Sequence, residues 1–166
     1  LALLRTYSVT MSRGGMPTGH QVKAVGDQLD SFFPSKDDNL NEELCRVLCF
    51  LDHPSVVRKT IALMKTTKAQ IPDFNSEIMK RNKNYGGKIL STMGEDVTPN
   101  VLNIHFLFCL KDVQVGWTMK DRKSYLGELQ NLMTKKGGNM FTGYIQKIRE
   151  SAIASVPDKD RISLQY

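Results

Sequence analysis

The chain contains few cysteines, a single tryptophan and no long apolar run. Cys45, Cys49 and Cys109 are too few and too unevenly spaced to form a disulfide framework, so we expect them to be free thiols. No apolar run approaches the length that a membrane-spanning helix needs. The chain begins LALLRTYSV, without an initiator methionine or the layout of a signal peptide, so we expect it to be part of a longer protein.

The length and composition are typical of one globular domain. A chain of 166 residues buries most of its apolar surface without help from disulfides or a metal ion. Apolar residues make up 40% of the sequence and charged residues 24%, which are ordinary values for a globular protein. We therefore predict that residues 1–166 form a single helical domain of a larger multidomain protein.

Apolar residues recur along the chain with the period of a helix, and the alternation typical of strands hardly appears. This pattern predicts an all-α fold of antiparallel helical hairpins, either a HEAT-like α-solenoid or an irregular helical bundle. The first helix should end at Gly14-Gly15. The second should run from about Thr18 to Phe33, where Pro34 ends it.

The next two helices should form a hairpin. Asn39 or Asn41 is expected to cap the third helix, whose segment is ELCRVLCFLDH, and Pro54 should occupy the first position of the fourth. The segment FLDHPSVVRKTIALM is typical of a helical-repeat unit, although no strict internal period runs along the chain. One or two short helices should follow over residues 73–93. The apolar block VLNIHFLFCL after Pro99 predicts the central core helix.

The only tryptophan, Trp117, stands directly before a helix start. Thr118 and Asp121 have the spacing of a capping box, in which the two side chains bond free amides at the helix end. Gly116 allows a tight turn that aims the ring inward. We interpret Trp117 and Thr118 as a structural anchor that joins the core helix to the next helix. The competing interpretation, a tryptophan that stacks on a ligand, has no polar catalytic group nearby to support it.

Two constellations could carry chemistry. Cys45, Cys49 and His53 recur every four residues, so a continuous helix would place three possible zinc ligands on one stripe. That stripe lies among leucines, and we favour core cysteines beside a surface histidine, with no metal ion, no cofactor and no catalytic residue in the domain. His105, within the apolar core helix, is a second candidate, for which a structural hydrogen bond is favoured over general-base catalysis.

The net charge of +6 is concentrated in one stretch, from Arg58 to Lys88, and the remainder of the chain balances to zero. Such a stretch is either a solvated surface or a face that binds phosphate groups of a nucleic acid. No interleaved aromatic residues or known nucleic-acid motif accompany it, so we favour the solvated surface. Its basic residues are Arg58, Lys59, Lys65, Lys68, Lys80, Arg81, Lys83 and Lys88.

Three segments in order carry a family resemblance: LNEELCRVLCFLDHPSVVRKTIALM, IHFLFCLKDVQVGWTMKDRKSYLGEL and GGNMFTGYIQKIRESAIASV. Over residues 1–160 the chain resembles the helical segment of large exported multidomain proteins with a c-type heme domain, the PVC-type heme-binding, HEAT-like repeat proteins. The heme-attachment motif Cys-x-x-Cys-His is absent, so no heme ligand is carried over to this chain. The resemblance implies a helical scaffold beside a cytochrome, located in the periplasm or outside the cell.

Three functions remain open at this point. The first is a non-catalytic scaffold or interaction domain within an exported, redox-associated protein, whose partners are neighbouring domains of the parent chain or another protein. The second is a helical-repeat module that binds nucleic acid through the stretch from Arg58 to Lys88. The third is an enzyme that uses His105 or the cysteine stripe. We favour the first.

Overall fold

The structure, a computed structural model, describes residues 2–15, 18–68, 99–135 and 140–164. Within those ranges the chain is all-helical, as predicted, with eight α-helices and no strand. None of these helices is long and apolar enough to cross a membrane. In chain order the helices are α1 Ala2–Gly14, α2 Gly19–Asp30, α3 Asp38–Phe50, α4 Val56–Met64, α5 Val101–Leu110, α6 Met119–Met133, α7 Phe141–Ala154 and α8 Asp158–Leu164. The helices predicted over residues 73–93 lie outside the described ranges.

The boundaries of α2 and α3 differ from the prediction at two points. Helix α2 ends at Asp30 and not at Phe33. Two turn residues follow the helix, and the Phe33 ring after them is buried. The cap of α3 is Asp37, whose side chain accepts from the amides of the second and third helical residues. Asn41 does not cap; its side chain bonds the backbone of Ser35 at both the amide and the carbonyl.

The start of α4 also lies later than predicted. Pro54 is in the turn before the helix, and Val56 is the first helical residue. Asp52 has a positive φ of 50°, and the turn that contains Pro54 is closed by a hydrogen bond from the Val56 amide to the His53 carbonyl. Helices α3 and α4, which the sequence analysis predicted to form a hairpin, are in contact with each other.

Helix α5 is the centre of the main core, as its uninterrupted apolar sequence indicated. It packs against α3, α4 and α7, so apolar residues are required on most of its circumference. Phe106, Leu107 and Leu110 are fully buried. In α3, Leu44, Val47 and Leu48 are buried, and so is Leu51 at its C-terminal cap.

A polar network joins α2 to the start of α4. The Lys59 ammonium lies 2.9 Å from the Asp30 carboxylate, which also accepts a hydrogen bond from the Ser55 hydroxyl. The His53 ring is buried between Ser55, at 3.0 Å, and Asp27, at 3.2 Å. Lys59, which the sequence placed in a solvated or phosphate-binding stretch, is therefore bound within the fold.

The Asp30 carboxylate makes stability dependent on acid pH. Burial opposes its charge, but the hydrogen bonds from Lys59 and Ser55 outweigh burial and hold the Asp30 pKa below its usual range. A lowered folded-state pKa stabilises the protein above the unfolded pKa of about 4, and this stabilisation is lost as pH falls through the folded pKa. Asp30→Asn should therefore lower stability by about 1 kcal/mol at neutral pH and by less at pH 3. Urea denaturation at both pH values, with Glu128→Gln in the middle of α6 as control, measures the difference; an Asp30→Asn loss that is equal at both pH values would contradict it.

Candidate functional site

The turn between α5 and α6 is built around Gly116. Its φ is +78°, and a Cβ atom added to it would lie 2.2 Å from the backbone oxygen of Pro54. Only a residue without a side chain allows this approach between the two turns. The Asp52 carboxylate also accepts the Gln114 amide at 2.9 Å, so the α3–α4 and α5–α6 turns are in direct contact.

Trp117, which the sequence analysis interpreted as a structural anchor, makes three contacts within this turn and α6. Its indole nitrogen donates to the Val113 carbonyl at 2.8 Å, and its ring meets the buried Tyr125 ring edge to face, with centroids 5.3 Å apart. The Arg122 guanidinium lies over the indole, 5.1 Å from the ring centroid. The capping box of Thr118 and Asp121 is formed as predicted.

A cavity of about 500 Å³ lies between the C-terminal ends of α3 and α5. Basic side chains border it, but each has an acidic partner: Arg46 binds Glu43 at 3.1 Å, and Lys111 binds Asp112. Two half-buried thiols and two half-exposed phenylalanine rings form other parts of its wall. The lining therefore includes Arg46, Cys49, Phe50, Phe108, Cys109 and Lys111.

Aromatic rings extend this cavity onto the surface. Phe108 stacks on Tyr144 of α7, with ring centroids 6.1 Å apart and planes 19° from parallel. Phe50, Phe108 and Tyr144 remain 44%, 43% and 43% exposed, respectively. We call these three residues the aromatic surface. Large exposed rings grouped at a cavity are a common feature of binding surfaces.

The proposed stripe of Cys45, Cys49 and His53 is not formed. Helix α3 ends at Phe50, and the turn at Asp52 directs the His53 ring toward α2, where it binds Asp27 and Ser55. The prediction that His53 is a surface residue is wrong, because its ring is buried in that polar network. The prediction of a stripe required α3 to continue to residue 53, and the helix ends before that residue.

Helix α5 places two other residues, His105 and Cys109, beside the cysteines of α3. Cys45 and Cys49 have their Sγ atoms 3.8 Å apart, and Cys109 interacts with the Cys45 thiol. The Cys109 Sγ is also 3.4 Å from His105 Nε2, which in turn lies 3.1 Å from the Glu42 carbonyl. The equal four-residue spacing of Cys45–Cys49 and His105–Cys109 on two core helices was the sequence signal that could have indicated this cluster.

Two thiols of the cluster, those of Cys45 and Cys109, are neutral. Burial raises the pKa of Cys45 well above its ordinary value. The hydrogen bond with Cys45, together with burial, raises the pKa of Cys109. A cysteine nucleophile reacts as the thiolate, so neither residue is activated for covalent catalysis. His105 makes the structural hydrogen bond that the sequence favoured, to the Glu42 carbonyl.

The basic stretch is only partly described. Arg58 is exposed on α4, whereas Lys59 is bound to Asp30. Lys80, Arg81, Lys83 and Lys88 lie outside the described ranges.

No family model, no curated protein and no solved structure matches this chain. The resemblance to exported heme-domain proteins, with the location and redox association that it implies, therefore stays a prediction.

Purified protein is expected to bind neither heme nor zinc. The Cys-x-x-Cys-His motif is absent from the sequence, and among the described residues no three His, Cys, Asp or Glu side chains are arranged to hold a metal ion. Elemental analysis and an absorption spectrum test this expectation. One equivalent of zinc that is lost in Cys45→Ala would contradict it.

Nucleic-acid binding through the basic stretch is expected to be weak and to vanish near physiological salt. Contacts that rest on charge alone release counterions and weaken steeply as salt rises. Fluorescence anisotropy with DNA and RNA oligonucleotides at increasing salt measures this. Sequence-preferring binding that survives physiological salt and is lost in Lys80→Glu/Arg81→Glu would favour the nucleic-acid module instead.

Proposed function

We propose that this chain is a non-catalytic helical interaction domain of a larger exported, redox-associated protein, and that the aromatic surface contacts a neighbouring domain. The observation that supports the proposal is the aromatic surface: Phe50 and Phe108 line the cavity between α3 and α5, and Tyr144 stacks on Phe108. Interface centres are enriched in aromatic residues and arginine, and Arg46 borders the same cavity.

The positions of these rings on rigid elements support the proposal. Phe50 ends α3 and Phe108 lies in the last turn of α5, so both are fixed by the packing of the two core helices. Tyr144 belongs to α7, which packs on α5. A partner would therefore meet a surface that is already ordered, which lowers the entropy cost of binding.

Site-specific photocrosslinking in the full-length encoded protein tests the contact. A benzophenone amino acid at Phe108 should crosslink to a segment outside residues 1–166. The matched control is Ile162, which is 84% exposed and lies on α8, away from the cavity. Equal crosslinking from both positions, or none from Phe108, would refute the interaction surface.

The redox association has a separate test, since it rests on the resemblance alone. The full-length protein, purified from its native compartment, should show the absorption spectrum of a covalently attached c-type heme. A protein without heme would remove this part of the proposal and leave the interaction surface to be decided by crosslinking.

A further inference from the structure

Cys45 and Cys49 form a pair of thiols one helical turn apart. Residues four positions apart lie on the same face of a helix, and here the two Sγ atoms are separated by 3.8 Å. The Cys45 thiol is completely buried and lies 3.6 Å from the Thr60 hydroxyl. Cys49 is half-buried and lines the cavity, so a small reagent in the cavity meets this thiol first and is then within reach of the Cys45 sulfur, 3.8 Å away.

The arrangement restricts which ligands suit the pair. Structural zinc takes four ligands, and no three candidate ligands are arranged for a metal ion among the described residues. A ligand atom that needs only two thiols, and that carries its own organic group, fits better. The cavity of about 500 Å³ has room for that group, and the Phe50 and Phe108 rings offer it an apolar wall.

We propose that Cys45 and Cys49 are a two-thiol binding site for trivalent organoarsenicals. An arsenical oxide R–As=O reacts with both thiols. Two As–S bonds form, while the As=O bond and the two S–H bonds break. The oxygen leaves as water with both thiol protons. Arsenic stays trivalent, so the step needs no oxidant or reductant.

The protonated state of the Cys45 thiol favours such a ligand over a divalent cation. Burial raises the pKa of Cys45, so this residue is a neutral thiol at neutral pH. A divalent metal ion must displace protons to bind thiolates, and the resulting charges would lie in an apolar core. The arsenical starts neutral and gives a neutral adduct, so no charge is buried.

Cys109 provides the internal control, because it is the third thiol of the cluster and also lines the cavity. It interacts with Cys45 and with His105 Nε2, but it belongs to α5 and not to α3. If the pair on α3 is the site, removal of Cys109 leaves binding intact.

Phenylarsine oxide is the probe, used on the full-length protein under reducing conditions. Intact mass spectrometry should show one adduct, equal to the reagent minus one water, that resists excess monothiol and is removed by a dithiol. Cys49→Ser should weaken binding roughly 100-fold, because a single thiol lacks the high effective concentration of the second. Cys109→Ser should bind as the wild type does.

Three results would overturn the proposal: no dithiol-sensitive adduct on the wild type, unchanged affinity in Cys49→Ser, or loss of the adduct in Cys109→Ser. Cys49→Ala serves as a second variant, since alanine is compatible with a helix and introduces no polar group. Circular dichroism of each variant verifies that the helices are intact, so a loss of binding is assigned to the thiol.

Discussion

Gly116→Ala is expected to destabilise the domain by roughly 3 kcal/mol. A left-handed backbone conformation costs an alanine about 1 to 2 kcal/mol. The added Cβ would also lie 2.2 Å from the Pro54 oxygen, a backbone atom that cannot move aside without displacing the turn before α4. Chemical denaturation followed by circular dichroism gives the change in unfolding free energy.

Gly127 is the matched control for this substitution. It lies inside α6, is exposed, and has no atom within 4 Å of the position that a Cβ would take. Gly127→Ala should raise stability by up to about 1 kcal/mol, since alanine favours the helix. If Gly116→Ala proved as stable as the wild type, the contact between the two turns would be wrong.

Trp117→Ala is expected to cost roughly 3 kcal/mol, near the lower end of the range for a buried tryptophan because the ring is half-buried. The substitution removes the edge contact with Tyr125, the bond to the Val113 carbonyl and the surface beneath the Arg122 guanidinium. Denaturation in urea, monitored by circular dichroism, measures the loss.

Thr118→Ala is the comparison variant at the next position. It removes the side chain that accepts the Asp121 amide at 3.1 Å and should cost about 1 kcal/mol. The test is which of the two variants loses more stability. A Trp117→Ala protein that is more stable than Thr118→Ala would show that the ring contributes little packing, and the turn would then be better interpreted as a recognition surface.

The features that the sequence predicted well are encoded locally. The capping box at Thr118 needs only residues three apart, and α5 was evident because ten consecutive residues contain few polar side chains. The cap of α3 could not be chosen in the same way. Asp37, Asn39 and Asn41 all have side chains that suit a helix start, and the choice depends on Asn41 bonding back to Ser35.

The candidate site could not be predicted fully, because it is formed by contacts between helices. The spacing of residues along one helix does not reveal which residues of another helix lie beside them. Cys45 and Cys49 were correctly predicted to lie on one face of a helix. The other members of the cluster, His105 and Cys109, come from α5, sixty positions away. The aromatic surface was missed for the same reason. Phe50, Phe108 and Tyr144 belong to three different helices, so no spacing along one helix brings them together.

The contact of Asp52 with Gln114 fixes the lengths of two connections at once. Surface loops generally accept insertions, because their backbone makes few contacts with the rest of the fold. Here the carboxylate of one turn holds an amide of the other at 2.9 Å, and the Pro54 carbonyl rests against Gly116. One residue inserted into either turn would separate the atoms that form these two contacts. Related sequences should therefore vary in length elsewhere and keep these two turns constant.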